Sequence, residues 1–378
     1  MQIDKVALAI LIVFGVITLL QLVYYYVIYG RFAFHRKKSA LGFRDIPVSV
    51  IIVVRDDAAL AVQNLPALLE QQYSFFEIVI VNDRSRDDNS LQAIREYKDR
   101  YPNIKIVDLS TAVSTSRGKK MAISMGVKCA SYEHILLTSP NCRPASRQWL
   151  SKMAQNFQFQ KRIVLGYNTY EKKKGLYSHF LLHDNLIGAV QYFAHALLRS
   201  TYRGDLNNVA FMRPLFYKQN GFIAYNHLLY GEEDIFIHRA ATPTNVAVEF
   251  DPDAATVEQH SPSYGSWRLH KTSLFFTRKY NSLKNRILLS GYELTNLLFY
   301  LFLAFSIVTA LHQPLALYIT AGIAVLRIAS LYVVMGISAK KLNEKQVIPP
   351  LLFYDILFTV LNPLLWLSAK IHHKKIAQ

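Results

Sequence analysis

Carboxylates that directly follow apolar runs are the side chains in this sequence best placed to bind a ligand. Asp56 comes after the run Val48–Val54, and Asp83 follows a second apolar run that ends at Val81. A carboxylate in this position accepts hydrogen bonds from N–H and O–H groups, which a uracil ring or a ribose would offer. Arg55, beside Asp56, has the charge to hold a phosphate. These residue types predict a nucleotide site, although an Asp before a helix is also a common cap, as we expect for Asp87.

A further acidic group precedes an apolar pair later in the chain. Glu233 and Asp234 belong to the segment Gly231–Ile237, which reads GEEDIFI. Adjacent carboxylates repel each other and raise the pKa of at least one of them when they are partly buried, which suits a general base. An acidic first turn of a helix, stabilised by the helix dipole, explains the same residues equally well.

The segments around these residues alternate between strand and helix patterns. Apolar, β-branched runs predict strands at 48–54, 77–81, 104–107 and 135–138, and helical spacing predicts helices at 58–72, 89–100 and 119–130. Such alternation predicts a parallel, doubly wound sheet, whose ligands bind at the carboxyl ends of the strands. We therefore expect one α/β domain over residues 44–290, with Asp56 and Asp83 at one edge of its sheet.

Both ends of the chain are apolar enough for a membrane. Residues 7–29 carry no charge, which predicts an anchor within residues 1–30. Residues 291–378 contain two long apolar runs and a third at 347–367, which includes Asp355 and three prolines. Those residues favour a re-entrant or interfacial segment over a third C-terminal span. Arg327, inside the second run, either faces a lipid-linked phosphate or extends to the membrane surface.

The charge distribution predicts how the chain is oriented and what it binds. The 43 Lys and Arg residues against 26 Asp and Glu give a net charge of +17, and basic clusters follow the apolar runs at 7–29 and 315–337. The positive-inside rule then places residues 44–290 in the cytoplasm, at a bacterial inner membrane facing anionic lipid. Nucleic acid is excluded as a partner because no nucleic-acid motif accompanies the charge. Two cysteines and scattered histidines give neither a disulfide framework nor a zinc site.

Six segments in the same order resemble the membrane-anchored branch of the family 2 glycosyltransferases. The resemblance covers nearly the whole chain and implies the GT-A fold, a doubly wound mixed sheet flanked here by transmembrane helices. The segments are VSVIIVVRDD at 48–57, LPALLEQQYSFFEIVIVNDRSRDD at 65–88, Gly118-Lys119-Lys120, Gly204–Phe222, GEEDIFI at 231–237, and Trp267 with His270-Lys271.

The resemblance implies an inverting transfer from a nucleotide-sugar, with a UDP-sugar expected, to a glycan or lipid-linked acceptor. Asp234 would take the proton from the acceptor hydroxyl, and Glu233 would flank it. The resemblance assigns further residues to the donor and to the acceptor side. The donor residues are Arg55, Asp56, Asp83, Lys119, Asn141, Arg143 and Lys271, and the acceptor-side residues are Asn208, Trp267 and His270.

Two departures from the family pattern weaken the expected metal and diphosphate binding. Where the family has Asp-x-Asp, this chain reads Ser139-Pro140-Asn141, which leaves Asn141 as the one candidate ligand for Mg²⁺ or Mn²⁺. Ser273 and Leu274 stand where an Arg and an aromatic residue are expected. Basic side chains could hold the diphosphate directly instead. The alternative is a catalytically inactive, membrane-anchored partner of an active enzyme.

Overall fold

A seven-stranded mixed sheet forms the centre of the molecule. The computed structural model describes residues 4–37, 45–109, 119–223 and 232–371. The strand order is β3-β2-β1-β4-β8-β6-β9, and a smaller sheet has the order β5-β10-β7. The strands are β1 Val48–Val54, β2 Phe76–Asn82, β3 Ile104–Asp108, β4 His134–Thr138, β5 Cys142–Pro144, β6 Ile163–Leu165, β7 Asn168–Tyr170, β8 Val209–Met212, β9 Val246–Val248 and β10 Thr256–Glu258.

The first four strands confirm the parallel arrangement predicted from their apolar runs. β1 is buried along its whole length and pairs in parallel with both β2 and β4. β-branched side chains on both faces of β1 pack well in such a central position. β8 then pairs antiparallel to β4, which makes the sheet mixed. The carboxyl ends of β1, β2 and β4 therefore lie side by side at one edge.

Helices cover both faces of this sheet and continue into the C-terminal region. Asp87 caps the helix after β2, as its position predicted, because its side chain accepts a hydrogen bond from the Ser90 amide at 3.1 Å. The helices are α1 Lys5–Val23, α2 Gly30–Ala33, α3 Ala58–Leu69, α4 Asp88–Arg100, α5 Lys120–Cys129, α6 Trp149–Ala154, α7 Leu176–Leu197, α8 Arg213–Lys218, α9 Glu232–Ala240, α10 Tyr264–Thr277, α11 Leu283–Ala310, α12 Pro314–Lys341 and α13 Leu351–Ile371.

Four helical segments of the described residues are long and apolar enough to cross a membrane. The first is Lys5–Ala33, which joins α1 to α2 through a π-helical turn, and the others are α11, α12 and α13. α13 continues through Pro363 as one helix of 21 residues. The segment expected to be re-entrant or interfacial is therefore long enough to span, and its path relative to a membrane stays a prediction.

An ion pair between α12 and α13 accounts for the two charges that the sequence places in apolar runs. Arg327 is fully buried, and its Nη1 donates to Asp355 Oδ2 at 2.7 Å. Tyr300 of α11 also donates to that carboxylate, at 2.5 Å, and the other Asp355 oxygen accepts from Asn296. Arg327 thus neither faces a free phosphate nor extends to the surface, because its charge is neutralised inside the helix group.

Candidate functional site

The ends of β1 and β2 bring Arg55 and Asp83 together, as the sequence predicted. Val54 lies opposite Asn82 in the sheet, and the Asp83 amide donates to the Val54 carbonyl at 2.8 Å. Arg55 Nη1 is then 3.8 Å from Asp83 Oδ2. The strand pairing therefore places a cation directly beside the carboxylate.

Asp83 is buried, and its two carboxylate oxygens have different surroundings. The residue is 2% exposed, and its Oδ1 accepts from the neighbouring Arg84 side chain at 3.1 Å. Its Oδ2 has no hydrogen-bond partner among the described residues. A buried, unpartnered acceptor is costly, and a donor N–H or O–H from a nucleotide would remove that cost.

Asp56 connects two loops at the same edge. Its backbone has a φ of 57°, its side chain is exposed, and Oδ1 accepts from the Arg86 amide at 3.3 Å. The next residue, Asp57, accepts from the Arg55 amide at 2.7 Å, and burial raises the pKa of the Asp57 carboxyl. Asp56 is thus at the predicted edge but is already bonded to the loop after β2.

Ser139 and Asn141, which replace the Asp-x-Asp carboxylates, belong to a hydrogen-bonded network with Asn207 and Glu258. The Ser139 hydroxyl donates to Asn207 Oδ1, and Asn141 Nδ2 donates to Glu258 Oε1 at 3.0 Å. Asn207 Nδ2 reaches the other Glu258 oxygen at 3.5 Å. β10 thereby brings a carboxylate to the place where the Asp-x-Asp motif would have supplied its own.

Glu258 and Asp205 are site residues that reasoning from the sequence missed. Burial raises the pKa of Glu258 to about 7, and the charge of Asp205 adds to this effect. Burial also raises the pKa of Asp205. Glu258 lies in a three-residue strand and Asp205 in an irregular segment, so neither follows the long apolar runs by which the other candidates were found.

These residues do not fit a divalent metal of the family's kind. Within the described ranges, no group of three or more His, Cys, Asp or Glu side chains is arranged to hold a metal ion. Asn141, the one predicted candidate, already bonds Glu258, and Ser139 bonds Asn207. Mg²⁺ and Mn²⁺ prefer several carboxylate oxygens, which Ser139 and Asn141 do not supply.

The predicted diphosphate cations have different surroundings. Lys119 is exposed and lines a cleft with Thr138 and Ser139 at the ends of the strands. Arg143 is exposed on β5, whereas Lys120 is only 2% exposed. Lys271 Nζ lies 2.6 Å from Asp184 Oδ1, so its charge is already paired. Lys119 is thus a second predicted cation, besides Arg55, that the fold brings to the strand ends.

Asp234 lines a separate cavity. It lies in the first turn of α9, is 9% exposed, and shares the cavity wall with Tyr202, Arg203 and Lys271. Burial opposes the charge of Arg203, but Asp234 and neighbouring acidic groups outweigh that effect and raise the pKa of Arg203. The Glu233 side chain lies outside the described part of the structure, so its predicted role stays a prediction.

Asn208 and Trp267, predicted on the acceptor side, are mainly buried supports. Asn208 is fully buried, where its amide donates to the carbonyls of Tyr167 and Ala254 and its oxygen accepts from Trp149. This corrects its predicted contact with an acceptor, because its hydrogen-bonding groups are used within the core.

Trp267 is 3% exposed and donates from Nε1 to Asp184 at 2.8 Å. His270, three residues later on α10, is exposed. Asp184 therefore joins the two predicted residues Trp267 and Lys271 to α7, and its place inside an aromatic helix gave no signal in the sequence.

The comparisons with known proteins bear on the family and the fold. Residues 49–226 match the model for glycosyl transferase family 2. This region therefore carries a family 2 glycosyltransferase domain, and the fold is GT-A, as the motifs predicted. The matched region includes Asp83 and the Ser139-Pro140-Asn141 segment, and it ends just before α9.

Two similar proteins illustrate the range of the class. A poly-beta-1,6-N-acetyl-D-glucosamine synthase of Staphylococcus epidermidis is 33% identical over 89 residues. The aligned residues make up 24% of this chain and 20% of that protein, so the chain matches about a fifth of its relative's length. A mannosyltransferase from Pyrobaculum calidifontis, solved in complex with GDP-Man and Mn²⁺, is 17% identical, with a TM-score of 0.56. That alignment covers 93% of this chain and 98% of the mannosyltransferase, which shows the shared fold.

Proposed function

We propose that this protein moves one sugar from a nucleotide-sugar, with UDP as the nucleotide, to an acceptor at the cytoplasmic face of a bacterial inner membrane. The observation that carries the proposal is the buried Asp83 carboxylate beside Arg55 at the ends of β1 and β2, within the residues that match glycosyl transferase family 2. Asp234, in its own cavity, is the carboxylate that we assign to the acceptor. The donor would lie at the strand ends, with its sugar directed toward Asp234.

The chemistry that fits this arrangement is a single displacement with inversion. The acceptor oxygen attacks the anomeric carbon while the bond from that carbon to the diphosphate breaks. The proton of the acceptor hydroxyl goes to the Asp234 carboxylate, which acts as general base. Asp83 would accept a hydrogen bond from the nucleotide through its unpartnered Oδ2.

The leaving diphosphate gains negative charge, which nearby cations stabilise. Arg55 and Lys119 are exposed cations at the strand ends, and Arg143 follows on β5. A divalent metal would supply the same neutralisation in other members of the class. Because the described residues do not fit such an ion, we assign this task to basic side chains.

The decisive experiment compares transfer by the Asp234→Asn variant and the wild type on purified membranes, with a panel of nucleotide-sugars and mass spectrometry of the products. We expect kcat to fall by about 10²–10⁴-fold because the general base is lost, while UDP still binds. Asp253→Asn is the control, since this half-exposed residue lies in a surface turn and pairs with Lys152. Undiminished transfer would remove Asp234 from its role.

The catalytically inactive partner remains the second candidate function, favoured by the two missing carboxylates at Ser139 and Asn141. No transfer from any donor in the panel, together with co-purification of a second transferase, would support it. Transfer by the wild type alone excludes it.

A further inference from the structure

The turn between α12 and α13 contains a fully buried carboxylate, Glu344. α12 ends at Lys341 and α13 begins at Leu351, so Glu344 lies where two of the four apolar helical segments meet. Burial of a charge is costly unless hydrogen bonds and a cation compensate for it. The contacts of Glu344 therefore show what this turn is bound to.

Glu344 is bound to β7 through hydroxyl groups. Its Oε1 accepts hydrogen bonds from Thr169 Oγ1, in β7, and from the Tyr167 hydroxyl at 3.3 Å. Lys172, which follows β7, has its Nζ 3.8 Å from Glu344 Oε2 and also donates to the carbonyl of Asn343. One carboxylate thus joins a turn between two apolar helices to a strand of the catalytic domain.

The end of α12 holds the backbone of Glu344 in place. Asn343 has a φ of 58°, a left-handed conformation that Asn adopts more readily than most residues. The Glu344 amide donates to the Ala339 carbonyl at 2.7 Å, and the Asn343 amide donates to the Lys340 carbonyl at 3.3 Å. These two bonds form a Schellman cap, which fixes the residues that follow a helix. The position of the Glu344 carboxylate is therefore set by α12.

The other face of β7 contacts the strand that carries Glu258. Successive side chains of a strand point to opposite faces, so Asn168 and Tyr170 point away from Thr169. Asn168 Oδ1 accepts a hydrogen bond from Thr256 in β10 at 2.9 Å. Tyr170 lies opposite Glu258 in the parallel pairing of β7 with β10. β7 therefore lies between the carboxylate of the turn and the carboxylate of β10.

We propose that Glu344 is a positioning residue for the donor site. By holding β7 it fixes β10, and with β10 the contact between Glu258 and Asn141 at the strand ends. This inference rests on the proposed transferase function and adds that the pair α12 and α13 sets the geometry in which the nucleotide-sugar binds. A carboxylate that only stabilised the fold would change the unfolding temperature and leave the affinity for UDP unchanged.

Calorimetric UDP binding and unfolding temperature, both measured on the purified full chain in detergent, test this role. Glu344→Ala leaves the hydroxyls of Thr169 and Tyr167 without their acceptor, and we expect UDP affinity to fall about fivefold to tenfold. Glu344→Gln keeps one oxygen for these hydroxyls, and we expect its UDP affinity to lie within about twofold of the wild-type value.

Glu77→Ala is the matched control. Glu77 is 5% exposed and, like Glu344, is held by two hydroxyls and a lysine, which belong to Ser49, Ser131 and Lys105. It lies at the start of β2, at the opposite end of that strand from the nucleotide edge. We expect Glu77→Ala to lower the unfolding temperature and to leave UDP affinity within about twofold of the wild-type value, because the two sites are far apart.

Thr169→Val repeats the test from the side of β7 and remains informative if Glu344→Ala fails to fold. It removes the hydroxyl that bonds Glu344, and valine is well suited to a strand. We expect UDP affinity to fall about threefold. In the double variant Thr169→Val, Glu344→Ala the two losses should not add, because both substitutions break the same contact.

Three results overturn the positioning role. They are wild-type UDP affinity in Glu344→Ala (or in Thr169→Val, where Glu344→Ala does not fold), no recovery of affinity in Glu344→Gln, and an equal loss of affinity in Glu77→Ala. Failure of the proposed function differs, since the wild type itself then binds no UDP and transfers no sugar. If the wild type transfers sugar while Glu344→Ala keeps full UDP affinity, the transferase proposal stands and the role of Glu344 is wrong.

Discussion

Asn141 donates a hydrogen bond of 3.0 Å to Glu258 and so joins the end of β4 to the end of β10. This bond lies where the family's Asp-x-Asp motif would supply carboxylates to a metal ion. The carboxylate that is present comes from another strand, and burial raises its pKa to about 7. A protonated Glu258 would be a poor metal ligand, since hard cations bind carboxylate anions.

Metal removal tests this consequence. We expect UDP binding and sugar transfer by the wild type to change by less than about twofold in EDTA, because in our proposal basic side chains, not a metal ion, hold the diphosphate. The measurement is calorimetric UDP binding and product formation with Mn²⁺ and with EDTA. A loss of about tenfold or more in EDTA would show that a metal does bind here.

The double variant Ser139→Asp, Asn141→Asp tests the converse, whether restored carboxylates create a metal site. It places two more carboxylates beside Glu258, and their repulsion should be relieved by a cation. We expect millimolar Mn²⁺ to raise the unfolding temperature of the double variant and to leave that of the wild type unchanged. An equal response of the two proteins would contradict the argument.

Glu258 should also make stability depend on pH. Its pKa is about 7 when folded and near its ordinary 4.5 when unfolded. Between these values the folded protein binds more protons than the unfolded chain, so stability falls as pH rises from 4.5 through 7. The loss is on the order of 3 kcal/mol by that linkage.

The Glu258→Gln variant isolates this contribution from those of other titrating groups. Its unfolding temperature, followed by tryptophan fluorescence at pH 5 and pH 8, should fall less with rising pH than that of the wild type. Glu70→Gln is the control, because Glu70 is exposed and pairs with Arg147 on the surface. Identical pH profiles for wild type and Glu258→Gln would show that Glu258 is charged throughout this range.

Replacement of Asp83 tests the nucleotide edge. Asp83→Asn removes the charge of the buried carboxylate beside Arg55, and we expect UDP affinity to fall by about 10–100-fold, as for hydrogen bonds to charged groups. Asp87→Asn is the matched control, since Asn caps a helix as well as Asp does. Unchanged UDP affinity in Asp83→Asn would exclude that carboxylate from the nucleotide site.

The sheet and the place of Asp83 at its edge could be predicted from the sequence because local patterns determine them. The run Val48–Val54 is apolar throughout and forms a strand over the predicted residues, and the position of Asp83 after the next run placed it at the same edge. Parallel pairing then brings such positions together without further information.

The rest of the site depends on contacts between distant segments. Glu258 reaches Asn141 across more than a hundred residues, and Asp184 bonds Lys271 and Trp267 from a helix whose sequence suggests only packing. For Asn208 the sequence was misleading in the other direction. Its motif position predicted a contact with the acceptor, but its side chain forms hydrogen bonds inside the core. No local pattern contains these pairings, so the sequence could not indicate them.

Arg327 and Asp355 form a pair of the same kind, and its energetic role can be measured. Arg327→Met would leave Asp355 buried without its cation, and we expect the free energy of unfolding to fall by about 3–5 kcal/mol. The double variant Arg327→Met, Asp355→Leu removes both charges and should recover at least half of that loss. Thermal unfolding of the purified chain in detergent provides the comparison, and Arg286→Met on the exposed face of α11 is the control. If the double variant is less stable than Arg327→Met, the ion pair does not account for the buried arginine.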